Sequence, residues 1–311
     1  MRGSDRVAPA SLAAIRAAAN ELGYRPNAAA RRLADRRSRS IGVLVQDLHN
    51  PVSAEVIDGV QRQVRASRYH TMLVTGNEDP ALEQGEIEKL LEFQVEGLII
   101  IGHRIPAGVQ DAINGECPTV IITRGESDIA GLDSISNDDV AGARLAVNYL
   151  HALGHRSIAH ITGGDNQVAL LRKSGYQTAM IDCGLAAHIC CYEGAFTDEG
   201  GYRGTQAALE SPRGHSALFV ANDLAAVGAL AAIAEHGLKV PEDISVIGYD
   251  GMALGALRSI SLTTIVQPLS SMGEDAAALV FERIKDPDRP PVHIRLEPTL
   301  IGRGSTCAFR R

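Results

Sequence analysis

Residues 23–45 read GYRPNAAARRLADRRSRSIGVLV, a basic, alanine-rich segment that runs directly into an apolar, β-branched segment. Residues 1–40 hold nine Arg against Asp5, Glu21 and Asp35, a net charge of +6, whereas the whole chain carries −7 and the remainder therefore −13. A small basic arm on a large acidic body is the charge distribution expected of a nucleic-acid contact joined to a separate globular unit. The segment therefore predicts a border between two functional parts.

Length and composition place the chain among soluble, multi-unit proteins. At 311 residues it is long enough for two or three units with large cores. Its five Cys show neither a C-x-x-C motif nor a Cys/His pairing, so the sequence predicts no zinc site and no disulfide framework. No apolar run approaches the ~18–20 residues of a membrane span, and no secretory signal precedes the first strand. We therefore expect a cytoplasmic protein without a membrane partner.

Short apolar runs alternate with helix-length amphipathic segments along the body of the chain, which predicts an α/β fold. Predicted strands span residues 41–45, 70–75, 97–101 and 119–123, and then 157–162, 189–192, 217–221 and 245–249. Predicted helices span residues 54–68, 82–93, 140–153, 200–209 and 224–236. Continuous Val/Ile runs between helices are typical of parallel strands that are covered on both faces. The pattern predicts two doubly wound lobes, with ligands bound at the carboxyl ends of the strands.

Polar side chains follow several of these predicted strands. Asp47 follows the first strand, Thr123 ends the fourth, and Asn222 and Asp250 follow the strands at 217–221 and 245–249. A helix-borne Arg172 accompanies them. Each of these residues, taken alone, is equally explained as a helix N-cap or a turn former. If the two lobes face each other, however, the same residues line one cleft, and their groups suit hydroxyl-rich or anionic ligands.

Ordered segments throughout the chain carry a family resemblance. They read GYRPNAAARRL, IGVLVQDLHNP, NDDVAGARLAVNYLHALGHRSIAHITG, FTDEGGY, LFVANDLAAVGAL, VPEDISVIGYDG and LTTIVQPLSSMG. Together they resemble the LacI (lactose-repressor) family of bacterial transcriptional regulators. The resemblance implies a type I periplasmic-binding-protein-like core that binds a small effector and forms a homodimer. It also implies an N-terminal operator-binding domain that is joined to the core through a hinge helix.

The resemblance assigns the basic segment to the hinge helix, at residues 27–33. Its expected contacts with operator DNA are Asn27, Ala30, Arg31 and Leu33. In the family, an apolar side chain at the position of Leu33 wedges into the minor groove and opens a base step, while neighbouring Arg side chains neutralise phosphates. So short a helix is marginal on its own, and we expect it to fold on DNA.

The resemblance also assigns an effector site. It comprises Asp47, Thr123, Arg172, Phe196, Asn222, Asp250 and Gln267. The chain departs from many relatives in having Val52-Ser53 after Asn-Pro and Asp250-Gly251 after Gly-Tyr. These departures weaken the stacking platform that a flat purine needs, so a small sugar or sugar acid is the expected effector. Whether it acts as inducer or corepressor is left open.

Four domains are predicted from the resemblance. Residues 1–24 form a partial helix-turn-helix domain and 25–40 the hinge helix and linker. Residues 41–137 with 267–297 form the N-terminal lobe, and 138–266 with 298–311 the C-terminal lobe. Only the last helix of the DNA-binding domain, at residues 10–22 and ended by Gly23, is present, and its apolar stripe lacks the two helices on which it would pack. We therefore expect an N-terminally incomplete repressor that binds operator DNA weakly or not at all.

Two other classes of protein compete with this interpretation. A periplasmic sugar-binding protein shares the two-lobed core, but it carries a signal peptide and no basic hinge segment. An α/β enzyme is disfavoured, because the sequence has no G-x-G-x-x-G, G-x-x-x-x-G-K-[ST] or G-x-S-x-G motif and no nucleophile with an identifiable base. We expect no enzymatic activity, no cofactor and no metal. The preferred mechanism is a shift between two closure states of the core that moves the hinge helices of a dimer.

Overall fold

The computed structural model describes residues 8–23, 37–102, 106, 109–110, 112, 117–123 and 132–309. Most of these residues form two lobes of the same design, each a parallel or nearly parallel sheet with helices on both faces. No helix in the described ranges is long and apolar enough to cross a bilayer.

Strands and helices alternate through both lobes. The strands are β1 (Ser40–Val45), β2 (His70–Thr75), β3 (Gly97–Gly102), β4 (Thr119–Thr123), β5 (Asp133–Asn137), β6 (Ile158–Ile161), β7 (Cys191–Tyr192), β8 (Ala217–Val220), β9 (Ser245–Asp250), β10 (Thr263–Val266), β11 (His293–Leu296) and β12 (Thr299–Ile301). The helices are α1 (Pro9–Glu21), α2 (Pro51–Ala66), α3 (Pro80–Glu92), α4 (Asp139–Ala152), α5 (Gln167–Asp182), α6 (Asp198–Leu209), α7 (Asp223–Glu235) and α8 (Leu269–Lys285).

The first sheet has the strand order β11-β5-β4-β3-β1-β2, and every neighbouring pair is parallel. Successive residues of the central strand β1 point to opposite faces. Ile41 and Val43 pack in one core cluster with residues of α2 and α8, whereas Leu44 packs in a second cluster with residues of α3. Burial on both faces explains why this strand reads as a continuous apolar run.

The second sheet has the order β12-β10-β9-β8-β6-β7, with β12 antiparallel and all other pairs parallel. Helices α4 and α5 cover one face, against Phe219 and Tyr249, and helices α6 and α7 cover the other, against Leu218 and Val220. Helices begin after the carboxyl ends of strands in both lobes, so their N-termini face the same side of each sheet.

The chain crosses between the lobes three times. It leaves the first sheet after Asn137 and returns after Gln267, where α8 packs along α2. It crosses again between Leu296 and β12. The first two crossovers are short: Asp138 alone separates β5 from α4, and Gln267 and Pro268 separate β10 from α8.

The predicted α/β fold with two doubly wound lobes is confirmed. All eight predicted strands are present, although the one expected at residues 189–192 contains only Cys191–Tyr192. The five predicted helices are present with shifts of up to three residues at their ends. The strands β5, β10, β11 and β12 and the helix α8 were not predicted from the sequence, and of α5 only the helical position of Arg172 was.

Helix α1 also lies where the sequence predicts it. It ends before Gly23, whose φ of +61° is the left-handed conformation that terminates many helices. Along the predicted apolar stripe, Ile15 is 44% exposed and Leu22 is 81% exposed.

Candidate functional site

A cleft of about 460 Å³ opens between the lobes at the carboxyl ends of both sheets. The first lobe contributes Gln46, Asp47, His49, Asn50, Pro51, Val52, Ser53, Val56, Glu78, Ile101, Gly102, Ile122, Leu269 and Met272. The second lobe contributes Asn166, Val168, Phe196, Thr197, Asn222, Leu224 and Met252, and Gln267 lies at the crossover. Its size and its mixture of apolar walls with a few polar groups are those of a small-molecule site.

Four polar residues of the cleft are helix N-caps. The side chains of Asn50, Asn166, Thr197 and Asn222 accept hydrogen bonds from backbone N–H groups in the first turns of α2, α5, α6 and α7, respectively. A cap satisfies N–H groups that have no partner inside the helix and places its own side chain at the helix N-terminus. The same residues therefore stabilise the fold and present amide or hydroxyl groups to the cleft.

Asn222 is held from two sides. Its Oδ1 accepts from the backbone N–H of Ala225 at 2.8 Å, and its Nδ2 donates to the carbonyl of Phe196 at 3.2 Å. These bonds fix the amide next to the Phe196 ring, which forms part of the cleft wall. Polar and apolar contacts for one ligand thus come from adjoining elements of the second lobe.

Asp47 occupies the loop between β1 and α2. Its carboxylate accepts from the backbone N–H of His49 at 2.8 Å, and its carbonyl accepts from the hydroxyl of Ser53 at 2.8 Å. This local turn holds the carboxylate at the first lobe's side of the cleft, opposite Asn222.

A charged cluster is buried directly behind the second lobe's wall. Arg172 donates from Nε to Asp139 Oδ1 at 2.9 Å, and from Nη2 to Asp250 Oδ1 at 3.3 Å. Its Nη1 donates to the carbonyl of Ala221 at 2.5 Å. Asp250 Oδ1 also accepts from Nε2 of Gln267 at 2.6 Å, so the cluster reaches the second crossover. Because Arg172 is only 2% exposed, it supports the wall and does not line the cleft.

Two aromatic rings complete the surroundings of Arg172. Its Cζ lies 3.6 Å from the ring centroid of Tyr249 and 5.4 Å from that of Phe196. Burial alone would lower the pKa of Arg172, but the carboxylates of Asp139 and Asp250 raise it above its ordinary value. The guanidinium therefore stays charged, and Phe196 is the layer between it and the cleft.

Asp223, the first residue of α7, is fully buried beside this cluster. Burial, followed by the charge of Asp250, raises the pKa of Asp223 to about 7. The carboxylate accepts from the hydroxyl of Thr264 at 2.5 Å and from the backbone N–H of Met252 at 2.7 Å, contacts that oppose this rise. A buried carboxyl group with a pKa near neutrality therefore lies beside the charged cluster.

The structure brings most of the predicted effector residues together. Asp47, Phe196, Asn222 and Gln267 line the cleft, whereas Arg172 and Asp250 form the buried cluster behind it. Thr123 ends β4, is buried, and is not among the cleft-lining residues. The assignment of these seven residues to effector binding stays a prediction.

Sequence reasoning missed several groups of the site. Asn166 and Thr197 line the cleft, and Asp139 is the nearest carboxylate to Arg172. Asn166 and Thr197 could have been found from the sequence, because each precedes a helix and has the residue type of an N-cap. Nothing in the sequence pattern distinguishes Asp139 from Asp138, the actual N-cap of α4.

The predicted DNA contacts lie outside the described residues. These are Asn27, Ala30, Arg31 and Leu33. Their assignment stays a prediction. In the described part of the chain, no group of three or more His, Cys, Asp or Glu side chains is arranged to hold a metal ion.

Comparison with known proteins identifies relatives of the whole chain. A family model described as a periplasmic binding protein-like domain matches residues 147–306. The ribose operon repressor of Haemophilus influenzae is 34% identical over 294 residues, which cover 93% of this chain and 88% of the repressor. The sequence similarity therefore extends well beyond the matched domain and includes most of the first lobe.

Solved structures show the same architecture. A LacI family transcriptional regulator from Enterococcus faecium with bound ribose has a TM-score of 0.77 and 26% identity, and the match covers 87% of this chain and all of the regulator. The lac repressor dimer bound to operator and the anti-inducer ONPF has a TM-score of 0.80 and 28% identity, with coverage of 94% and 89%.

Proposed function

The chain belongs to the LacI family of ligand-responsive transcriptional repressors, and from that premise we propose that its interlobe cleft binds a neutral sugar of pentose size. The relatives that match over nearly the whole chain are repressors, which favours this function over the solute-binding protein considered as an alternative. The relatives are also not enzymes, and we propose no catalytic role. A repressor acts on DNA in the cytoplasm, which is the location that we propose.

One observation carries the proposal: polar groups of both lobes meet across a single cleft. Asp47 from the first lobe and Asn222 from the second face the same volume, and Phe196 supplies a flat apolar wall. Sugars present hydroxyl groups around their rim and C–H groups on their faces, so carboxylate, amide and aromatic groups together are complementary to them. Ribose is the favoured sugar, because the ribose-bound regulator shares this fold.

The charge around the cleft favours a neutral ligand over a sugar acid. Among the described residues, the carboxylate of Asp47 lines the cleft. In the buried cluster behind the wall, the two carboxylates of Asp139 and Asp250 outnumber the single guanidinium of Arg172. An anionic ligand would meet a negative wall behind Phe196, and no Lys or Arg is among the described residues that line the cleft. Of the two ligand classes expected from the sequence, we therefore propose the neutral sugar.

Effector binding acts through lobe closure in this proposal. The lobes, at residues 41–137 with 267–297 and 138–266 with 298–311, rotate about the three crossovers. A sugar that contacts both lobes binds the closed state more tightly, and only this difference in affinity shifts the population. Asp47, Thr123, Arg172, Phe196, Asn222, Asp250 and Gln267 form or support the site. The linker, with Asn27, Ala30, Arg31 and Leu33, then presents its DNA-binding surface differently in the two states.

A homodimer is the proposed assembly. The lac repressor that shares this fold is named as a dimer. Strand β2 lies at the edge of the first sheet, and Leu73 on it is 43% exposed, while Leu82 on the adjacent helix α3 is 51% exposed. Pairing of two such surfaces buries apolar side chains and covers a sheet edge. Sedimentation of the wild type and of Leu73→Glu, with the latter expected to be monomeric, tests this surface.

Calorimetric titration of the purified protein tests the effector class. The ligand panel is D-ribose, D-glucose, cellobiose, adenosine, D-gluconate and ribose 5-phosphate. We expect D-ribose to bind most tightly and, at 100 times its Kd, to stabilise the fold by ~2.7 kcal/mol. Tightest binding of any other member of the panel, or binding of none of the six, would refute the proposed ligand class.

Two N-cap variants test whether the ligand binds in the cleft. Asn222 and Asp138 are both N-caps whose side chains accept from a backbone N–H at 2.8 Å, but only Asn222 lines the cleft. Because Asp138 lies at the first crossover, the N-cap of α3, Asp79, which accepts from the backbone N–H of Ala81 at 2.8 Å and does not line the cleft, serves as the control in its place. We expect Asn222→Ala to weaken sugar binding tenfold or more, and Asp79→Ala to leave it unchanged, although both lower the melting temperature. Equal loss of affinity in the two variants would place the ligand elsewhere.

A further inference from the structure

The first crossover carries a buried hydrogen bond between the two lobes. Asn137 is the last residue of β5 in the first sheet, and its Nδ2 donates to the hydroxyl of Tyr249 at 2.9 Å. Tyr249 lies on β9, in the second sheet. Asn137 is 3% exposed and Tyr249 is completely buried, so water does not compete for this bond.

The Tyr249 bond fixes the Asn137 amide. The Oδ1 of Asn137 is buried and has no hydrogen-bond partner in the described part of the chain. A cavity of only about 30 Å³, lined by Asn137, Asp138 and Arg295 among others, adjoins it. If the Tyr249 hydroxyl were removed, the amide would lose its described side-chain partner while it remained buried at the crossover. A buried polar group without a partner is costly, so loss of this bond weakens the packing that fixes the first crossover.

Tyr249 connects this crossover to the wall of the cleft. Its ring stacks on Arg172 with 3.6 Å between Cζ and the ring centroid, and Arg172 supports Phe196 from behind. The next residue, Asp250, accepts from Gln267 at the second crossover. Two adjacent residues of β9 therefore contact the first two crossovers, Tyr249 through its phenol and Asp250 through its carboxylate.

We infer that Asn137 and Tyr249 are positioning residues that set the closure angle of the lobes and transmit the state of the cleft wall to the first crossover. A displacement of Phe196 or Arg172 by a ligand moves the Tyr249 ring, and the ring carries the Asn137 bond with it. The inference takes its biological meaning from the proposed function, but the contacts on which it rests lie within the chain itself. It can therefore be tested without an effector.

Distance measurement between fluorophores on the two lobes of the full chain tests the inference. Ala66, at the end of α2, and Lys239, after α7, are both exposed. An azide-bearing residue at each position carries the fluorophore, so the natural cysteines are not labelled. An excess of unlabelled protein removes energy transfer between subunits. We expect Asn137→Ala and Tyr249→Phe each to broaden the ligand-free distance distribution and shift it to longer distances. The double variant should move it no further than either single change.

Tyr176→Phe is the matched control. Tyr176 is also completely buried in the second lobe, but its hydroxyl donates to the carbonyls of Ile158 and Cys190 within that lobe. It should lower the melting temperature without changing the interlobe distance. Tyr249→Phe keeps the ring under Arg172, so any change reports on the hydroxyl alone. An unchanged distribution in Asn137→Ala and Tyr249→Phe, or an equal change in Tyr176→Phe, would overturn the inference, whatever the titrations of the sugar panel show.

Discussion

Arg172 and Asp139 form a salt bridge of 2.9 Å in which the two side chains are 2% and 1% exposed. One partner comes from the middle of α5 and the other from the first turn of α4, so the bridge joins two helices that pack on the same face of the second sheet. The pair is isolated from water and shares the guanidinium with Asp250. It thus fixes the position of the charged cluster behind the cleft wall.

Arg172→Met should destabilise the protein strongly. Removal of one partner of a buried ion pair leaves an uncompensated charge, and such changes cost about 3–5 kcal/mol. Here two carboxylates, on Asp139 and Asp250, lose their cation. Urea unfolding followed by circular dichroism measures the loss. Arg203→Ala removes an exposed ion pair with Glu199 and serves as the control, with no measurable change expected. A loss below 1 kcal/mol in Arg172→Met would show that the cluster contributes little to the fold.

Asp223→Asn should change how stability depends on pH. The pKa of Asp223 is raised from 3.8 to about 7 in the folded protein, so the folded state binds more protons than the unfolded state between these values. The wild type therefore loses stability relative to the variant as pH rises from about 4 to 7, by up to about 1.4 kcal/mol per pH unit. Denaturant unfolding of both proteins at each pH gives this difference. A difference that is constant over the window would contradict the buried, protonated state.

His160→Phe should show the opposite dependence. Burial lowers the pKa of His160 to about 4, with an opposing contact from the carbonyl of Phe219 and a smaller lowering by Arg172 and Lys173. Above pH 6.5 the ring is neutral in both states. As pH falls from 6.5 to 4, the unfolded chain takes up a proton first, so the wild type loses stability relative to the variant. Unfolding at pH 7, 6 and 5 measures the loss, and parallel curves for the two proteins would refute it.

Gly59→Ala should separate α2 from α8. A Cβ at Gly59 would collide with the backbone carbonyl of Ser270 on α8, and backbone cannot move as a side-chain end can. Overpacking of this kind costs about 1–3 kcal/mol. Gly85→Ala on α3 is the control, because nothing lies within 4 Å of its Cβ position and the helix propensity of Ala should add about 0.5–1 kcal/mol of stability. Thermal unfolding of the two variants should shift in opposite directions, and a shift in the same direction would contradict the packing account.

The sequence was sufficient where a local pattern determines the structure. The run at β1 is buried on both faces, so its apolar residues are uninterrupted, and Gly23 marks a helix end by its backbone conformation. Strand β5, with the sequence DSISN, escaped detection because its polar residues satisfy tertiary contacts. The carboxylate of Asp133, for example, accepts hydrogen bonds from Nε and Nη2 of Arg283. Such contacts join residues 150 positions apart, and no local periodicity reports them.

Several residues of the candidate site could be predicted from the sequence, but which of them line the cleft and which are buried behind its wall could not. Strand-end position and residue type were enough to select Asp47 and Asn222, which line the cleft. The same criteria selected Asp250, and the family resemblance selected Arg172; the tertiary fold places both behind Phe196. Whether a polar residue faces the ligand or supports the wall depends on the partner that it meets, here Asp139. That partner is set by the packing of α4 on α5, which the sequence does not encode locally.

Hydrogen–deuterium exchange with and without D-ribose tests the central claim most directly, because it reports on both sides of the cleft at once. The account predicts slower exchange in the loop that carries Asp47 and, equally, around Asn222 and Met252 in the other lobe, with the outer strands of both sheets unchanged. Protection confined to one lobe, or no protection at saturating sugar, would contradict a ligand held between the lobes.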